Sequence, residues 1–268
     1  MDLGSRLNAT VTGTPDGPPI VFVHGFGCGQ EIWRHVAPAF EADHRVVLFD
    51  LPGSGKADPT TYDPTRHASL DGYRDDVVAV LDELGLRSVV LVGHSVSAMT
   101  SVLVQRARPD LVSRLVLVGP SARYVDDGPY VGGFGEADIE DLLELMGRNH
   151  LGWQDPLSSM VAGPDQHESK AELEDMFCRT RPEVAEQFAA VTFRGDNRDD
   201  LAHVSVPTLV VQSLHDAVAP VSAGEYVAGE VPDAVLEVID TQGHCPQLSA
   251  PAETVATIRR FLAAGTAG

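Results

Sequence analysis

The stretch Val89-Val90-Leu91-Val92-Gly93-His94-Ser95-Val96-Ser97-Ala98-Met99 constrains the fold of this chain more than any other. Four apolar residues stop at a cluster of small ones, and a helix-forming run follows without a break. A buried strand that turns sharply into a helix has this pattern. Ser95 would then stand at the apex of the turn, its hydroxyl above the end of a sheet and at the positive end of the helix. Strand and helix nearly touch at such a turn, so the positions two before and two after the serine must be small. Gly93 meets that condition fully, and Ser97 meets it approximately in place of the second glycine of G-x-S-x-G. Alone, the five residues fit a glycine-capped strand end equally well. The decision rests on the remaining chain.

The amino-terminal part alternates short apolar runs with helical patterns. Residues 6–12 alternate weakly and the turn cluster Thr14-Pro15-Asp16-Gly17-Pro18-Pro19 follows, so an opening hairpin is expected. Ile20-Val21-Phe22-Val23 reads as a buried strand entering His24-Gly25-Phe26-Gly27, where two glycines let the backbone approach a ligand closely. A short helix with Ile32, Trp33, Val36 and Phe40 inward comes next, and then a strand over residues 45–49. The run Asp50-Leu51-Pro52-Gly53-Ser54-Gly55-Lys56 resembles a phosphate loop only superficially. Asp50 stands where the first glycine would have to be and Ala57 where Ser or Thr is needed, so it is a strand-exit turn. Ser69 caps a helix carrying Leu70, Tyr73, Val77, Val80, Leu81 and Leu84, and Gly85 ends it.

The Ser95 strand and helix, and a strand over residues 114–118, complete a strand–helix alternation that predicts a mostly parallel sheet covered on both faces. Between residues 121 and 194 strand-like runs give way to helical stripes: Ile139, Leu142, Leu143 and Met146; Leu173, Met176 and Phe177; Val184, Phe188 and Val191. A less regular helix is expected around residues 153–161. An all-helical insertion between strands reads as a lid on a core formed by residues 1–120 and 195–268. Phe177 and Phe188, on helical stripes, are expected to be core. Tyr124, Phe134, Trp153 and Phe193, together with Phe26, fit the lining of a pocket as well as they fit a satellite core. Strands over residues 207–213 and 235–239 follow, each succeeded by a helical stretch, the last over residues 252–264.

Chemistry at Ser95 would need a base to take the hydroxyl proton, an acid to orient the base, and donors for an oxyanion. Asp216 ends the run Leu209-Val210-Val211-Gln212-Ser213-Leu214-His215-Asp216, and His244 follows the strand that begins at Val235. A serine, an acid and a histidine in this order, each just beyond a strand, are far more specific than any one alone. His215 is a rival base, but neighbours at a strand exit point apart. Asp240 is a rival acid that fits a surface strand end better, and His94 in the elbow fits a packed support. The oxyanion donors would be the main-chain N–H groups of Val96 and Phe26. No histidine pairing has metal-ligand spacing, so a metal site is not expected.

Composition excludes other classes. There are 39 acidic against 19 basic residues, a formal net charge of −20, and such a surface repels phosphate backbones. Residues 1–10 carry neither the basic nor the apolar region of a signal peptide, and no apolar run approaches the roughly 20 residues of a membrane span. Cys28, Cys178 and Cys245 are odd in number and widely spaced. The expectation is a cytoplasmic protein with reduced thiols and no nucleic-acid or membrane partner.

Five segments, His24-Gly25-Phe26-Gly27-Cys28, Asp43-His44-Arg45-Val46-Val47-Leu48-Phe49-Asp50, Gly93-His94-Ser95-Val96-Ser97, Gly132-Gly133-Phe134 and Gly243-His244-Cys245-Pro246, resemble one subfamily of the α/β-hydrolase superfamily. It holds the RsbQ-like stress-response regulators and the strigolactone and karrikin receptors, and the resemblance runs nearly end to end. It implies the α/β-hydrolase fold, a mostly parallel doubly wound sheet with a four-helix lid over a small hydrophobic cavity. It also implies a Ser95–His244–Asp216 triad and no cofactor. Two roles follow from it: hydrolysis of a small lipophilic ester or butenolide-like lactone, or ligand sensing in a stress response with a PAS-domain phosphatase as partner. A lyase or cofactor-free oxygenase on the same fold is a third. The chain departs from the pattern at Gln154-Asp155-Pro156-Leu157, where the subfamily carries small residues and an aromatic, so its pocket should differ in shape.

Overall fold

A computed structural model describes residues 2–149 and 152–264; Met1, residues 150–151 and residues 265–268, which the sequence assigns to the core ends and the insertion, lie outside the described residues. In chain order the elements are α1 (Leu3–Arg6), β1 (Thr10–Gly13), β2 (Pro19–Val23), β3 (Arg45–Leu48), α2 (Leu70–Glu83), β4 (Val89–His94), α3 (Val96–Ala107) and β5 (Val112–Val118). Then come α4 (Glu136–Arg148), α5 (Gln154–Ala162), α6 (His167–Arg179), α7 (Pro182–Phe193) and α8 (Arg198–Leu201). The chain closes with β6 (Thr208–His215), α9 (Val221–Glu230), β7 (Ala234–Gln242), α10 (Pro246–Ser249) and α11 (Pro251–Ala264). The helix expected after β2 is a pair of single 3₁₀ turns, Gln30–Trp33 and Ala37–Phe40.

The strands form one seven-stranded sheet in the order β1-β3-β2-β4-β5-β6-β7, parallel except for β1. All six residues of β4 are buried, so both faces of the sheet are covered at its centre. This is the α/β-hydrolase architecture, with α4–α7 inserted between β5 and β6. Within the insertion α4 packs on α7 and α5 on α6. None of the helices is long and apolar enough to cross a membrane, among the described residues.

The opening hairpin does not form. β1 lies antiparallel beside β3, with Thr10 opposite Leu48, and β2 lies on the far side of β3. The Thr14-to-Pro19 turn instead wraps around the start of β3, where the Arg45 N–H donates to Pro18 O at 3.1 Å. Gly13 permits this close approach: at φ +79°, an added Cβ would stand 2.3 Å from the His44 carbonyl oxygen. The strand-exit turn at Asp50 is folded inward on its own carboxylate, which accepts from Asn8 Nδ2, Gln30 N and Lys56 N at 2.7–2.8 Å. That arrangement leaves no cradle of free amides for a phosphate.

Candidate active site

The site is built on the end of β4. Ser95 has φ +58° and ψ −126°, a strained conformation for a residue with a side chain. The strain is held because the Ser95 N–H donates to Val118 O at 2.8 Å and α3 begins at the next residue. Gly93 has no alternative here, since a Cβ would lie 2.2 Å from Ser97 O. Ser97, where a second glycine is usual, uses its hydroxyl to donate to His24 O at 2.5 Å. The departure from G-x-S-x-G thus ties the elbow to the loop after β2.

Around Ser95 the chain brings together three of the singled-out side chains. His244 Nε2 lies 2.8 Å from Ser95 Oγ, and His244 Nδ1 lies 2.7 Å from Asp216 Oδ2. Asp216 Oδ1 accepts from the Val218 and Ala219 N–H groups at 2.8 and 3.0 Å, so the carboxylate is clamped at both oxygens. The acidic and histidine side chains are 0% and 3% exposed. The rivals stand apart: His215 and Asp240 face each other at 3.9 Å with side chains 61% and 87% exposed.

The Phe26 loop is pressed onto the elbow, as an added Cβ at Gly25 would lie 3.1 Å from Ser95 Cβ. Val96 opens α3 directly after Ser95. The Tyr124 hydroxyl sits 3.2 Å from Ser95 Oγ, and burial pushes its pKa well above the ordinary tyrosine range, so it remains a phenol. Phe193 packs edge-on against both Tyr124 and Phe26, at 5.2 and 6.2 Å between centroids.

Above Ser95 and His244 lies a cavity of about 30 Å³, walled by Phe26, Cys28, Leu157, Val161, Phe177, Thr192, Phe193 and Val218. Phe26 and Phe193 therefore reach the space itself. Trp153 stands behind them, 5.9 Å from the Phe26 ring and 5.5 Å from Phe177, and Phe134 lies behind Phe193 at 6.4 Å. Phe177, expected as core, is part of the wall; a helical stripe looks the same whether it buries against protein or against a cavity. Phe188 packs on Phe26 and stacks on Tyr73 at 4.4 Å, in the core as its stripe indicated. A larger open groove of about 700 Å³ lies between α2, α3 and the end of α7. Its Arg74, Arg106 and Arg194 are each paired with a carboxylate, and its lining holds Ser69 but no cysteine or histidine.

One contributor was not legible in advance. Gln212, fully buried on β6, donates Nε2 to Asp216 Oδ2 at 3.3 Å and to Ala219 O, bracing the acid's loop. A glutamine in an apolar strand four residues before the acid was the available signal. Burial pushes the thiols of Cys28 and Cys245 up, which keeps both protonated and unreactive. Among the described residues no group of three His, Cys, Asp or Glu side chains is placed to hold a metal ion.

Fold and site together define a class. The model of the alpha/beta hydrolase family matches residues 20–257, and the chain belongs to that family. It is similar to a probable esterase of Oryza sativa subsp. japonica, 40% identical over 95% of each chain. It is also similar to a strigolactone esterase of Arabidopsis thaliana, 38% identical over 96% of each chain. Among solved structures, a hydrolase from Oleispira antarctica superposes with a TM-score of 0.94 at 35% identity, covering 97% of this chain and 96% of that one. Membership supports hydrolase activity and places the chain near the strigolactone and karrikin receptor esterases.

Proposed function

We propose that this protein is a serine hydrolase that cleaves small lipophilic esters or lactones, with Ser95 as nucleophile, His244 as base and acid, and Asp216 as the orienting carboxylate. The observation that carries the reading is the continuous chain from Ser95 Oγ through His244 to Asp216, at 2.8 and 2.7 Å, beneath a small apolar cavity. Ser95 Oγ attacks the carbonyl carbon and passes its proton to His244 Nε2, while Asp216 stabilises the imidazolium. The oxyanion is met by the main-chain N–H groups of Phe26 and Val96. On collapse, His244 returns the proton to the leaving oxygen, which in a lactone remains tethered to the acyl group. Water, deprotonated by His244, then releases the acid and restores Ser95.

Residues 121–194 act as the lid. A cavity of about 30 Å³ has room for one or two water molecules, not for an ester. Substrate entry therefore requires displacement of wall side chains from the insertion, Leu157, Phe177 and Phe193 among them. Phe26 and Phe193 then face the acceptor space, Trp153 and Phe134 back them and set how far they can move, and the phenol of Tyr124 beside Ser95 is its polar point. The named activity of the strigolactone esterase relative favours a butenolide-like lactone as one substrate. The alternative role, ligand sensing in a stress response with a PAS-domain phosphatase, uses the same site and rests on the likeness of Cys28 and Gly243-His244-Cys245-Pro246 to the RsbQ-like regulators. Hydrolysis of 4-nitrophenyl acetate, a butenolide and a long-chain ester separates the outcomes. Cleavage of the first two is expected, and preference for the long-chain ester would contradict the small-pocket reading.

A further inference from the structure

Resting on the reading of Ser95, His244 and Asp216 as one machine, we propose that His94 is a positioning residue for the base: it donates Nε2–H to the main-chain oxygen of His244 and fixes that backbone from the core side. His94 ends β4 one residue before Ser95, and its ring is 2% exposed. Its Nε2 lies 3.0 Å from His244 O. A peptide oxygen only accepts, so Nε2 carries the proton in this bond, and the Cys245 sulfur, 3.7 Å from the same nitrogen, is its weaker second acceptor. Nδ1 is buried without a hydrogen-bond partner, and a second proton there would be an orphaned donor. Burial pushes the imidazole down to about 3, with the neighbouring His244 acting in the same direction, so the ring stays neutral.

The loop after β2 holds the ring in place. An added Cβ at Gly25 would lie 2.9 Å from His94 Nδ1, so only glycine lets the loop close over it. Trp33 meets the ring edge-on at 6.2 Å. The opposite side of the His244 peptide is held as well, since its N–H donates to Val161 O, in the last turn of α5, at 2.7 Å. Gly243 makes that contact possible, as a Cβ there would stand 2.1 Å from Ala162 O. The base is thus suspended between the elbow and the insertion, and its ring can meet Ser95 Oγ only while both bonds hold.

Positioning and mere space-filling make different demands. Space-filling needs the ring's shape, whereas positioning needs a proton at Nε2. His94→Gln sets an amide N–H near that point, and His94→Leu fills the space without a donor. With 4-nitrophenyl acetate, H94L should lose about 10- to 100-fold in kcat, the scale of a displaced reacting group, with KM little changed. H94Q should retain most of the wild-type kcat. Equal loss in both variants, or none in H94L, would overturn the proposal. Histidine ¹⁵N shifts of the wild type give an independent reading: His94 should remain the neutral Nε2–H tautomer between about pH 5 and 8. A proton on Nδ1, or titration in that range, would overturn it whether or not the variants fold. A wild type that neither turns over nor labels at Ser95 would instead overturn the hydrolase reading, and this inference with it.

Discussion

Among the described residues two histidine–aspartate pairs are buried, and one of them faces a serine hydroxyl. His244 meets Asp216 at 2.7 Å and His67 meets Asp76 at 2.7 Å, with all four side chains at most 3% exposed. At Asp216 the acid takes Nδ1, leaving Nε2 aimed at Ser95 Oγ under a cavity. At Asp76 the acid takes Nε2, and Nδ1 lies 2.9 Å from Asp63 O and 3.0 Å from Asp63 N, so the ring has no free nitrogen. Tyr62 stacks on the His67 ring at 5.1 Å and Tyr73 leans on it at 4.8 Å, closing off solvent and substrate alike. Arg66 takes the second Asp76 oxygen at 2.5 Å, where Asp216 receives two main-chain amides. A buried His–Asp pair is therefore a structural joint by default. It becomes chemistry when one ring nitrogen is left for a hydroxyl and space is left above it.

Removing the acid from each pair should give opposite results. Asp216→Asn is expected to lower kcat by roughly 10⁴-fold while the denaturation midpoint changes little, because His244 loses its orienting charge and tautomer. Asp76→Ala should do the reverse, costing about 3–5 kcal/mol of stability in urea denaturation by leaving His67 and Arg66 without their partner. Its kcat per folded molecule should match the wild type. If Asp76→Ala abolishes turnover in folded protein, the division between the two pairs is wrong.

The space above His244 gives the next largest effect. Trp153→Ala removes the support behind Phe26 and Phe177, and should raise kcat/KM for butyrate relative to acetate esters about tenfold, within the range of one to two methylenes. An unchanged acyl-length profile would detach the insertion from specificity. Acid should then weaken the fold gradually. His24 and His94 are both held below the ordinary histidine value, with burial the main cause in each. The unfolded chain binds protons that the folded chain refuses, so this stability is complete above about pH 6.5 and declines as pH falls towards the depressed values. The slope should approach about 1.4 kcal/mol per pH unit for His94, with His24 adding in the same direction, read from urea midpoints at about pH 7 and 5. The smallest effect belongs to Asp240→Asn, where the exposed side chain should leave kcat within about twofold of wild type.

The parts read correctly from sequence were those with a steric or positional rule behind them. Gly93 and Ser97 around Ser95 follow from two backbones in near contact, and the placing of Asp216 and His244 within hydrogen-bond reach of each other and of Ser95 follows from strand ends. The hairpin failed because turn residues show that a chain reverses, not which strand it will lie beside; β3 entered between β1 and β2. Phe177 is core, as its stripe indicates, and also walls the cavity, which periodicity cannot show because burial against a cavity and against protein share one period. His67 and Asp76 went unread because nine residues separate them across a 3₁₀ turn and a helix, a spacing with no recurrent geometry. Gln212 was hidden inside an apolar strand, where its hydrogen bonds depend on a loop that folds back over it.

The most direct measurement is intact-protein mass spectrometry after exposure to a fluorophosphonate probe, run on the wild type and on Ser95→Ala. One adduct, localised to Ser95 and lost in Ser95→Ala, is the predicted result, because this serine has a histidine nitrogen 2.8 Å from its hydroxyl beneath a cavity. Equal labelling of both proteins would contradict the assignment of Ser95 as the nucleophile.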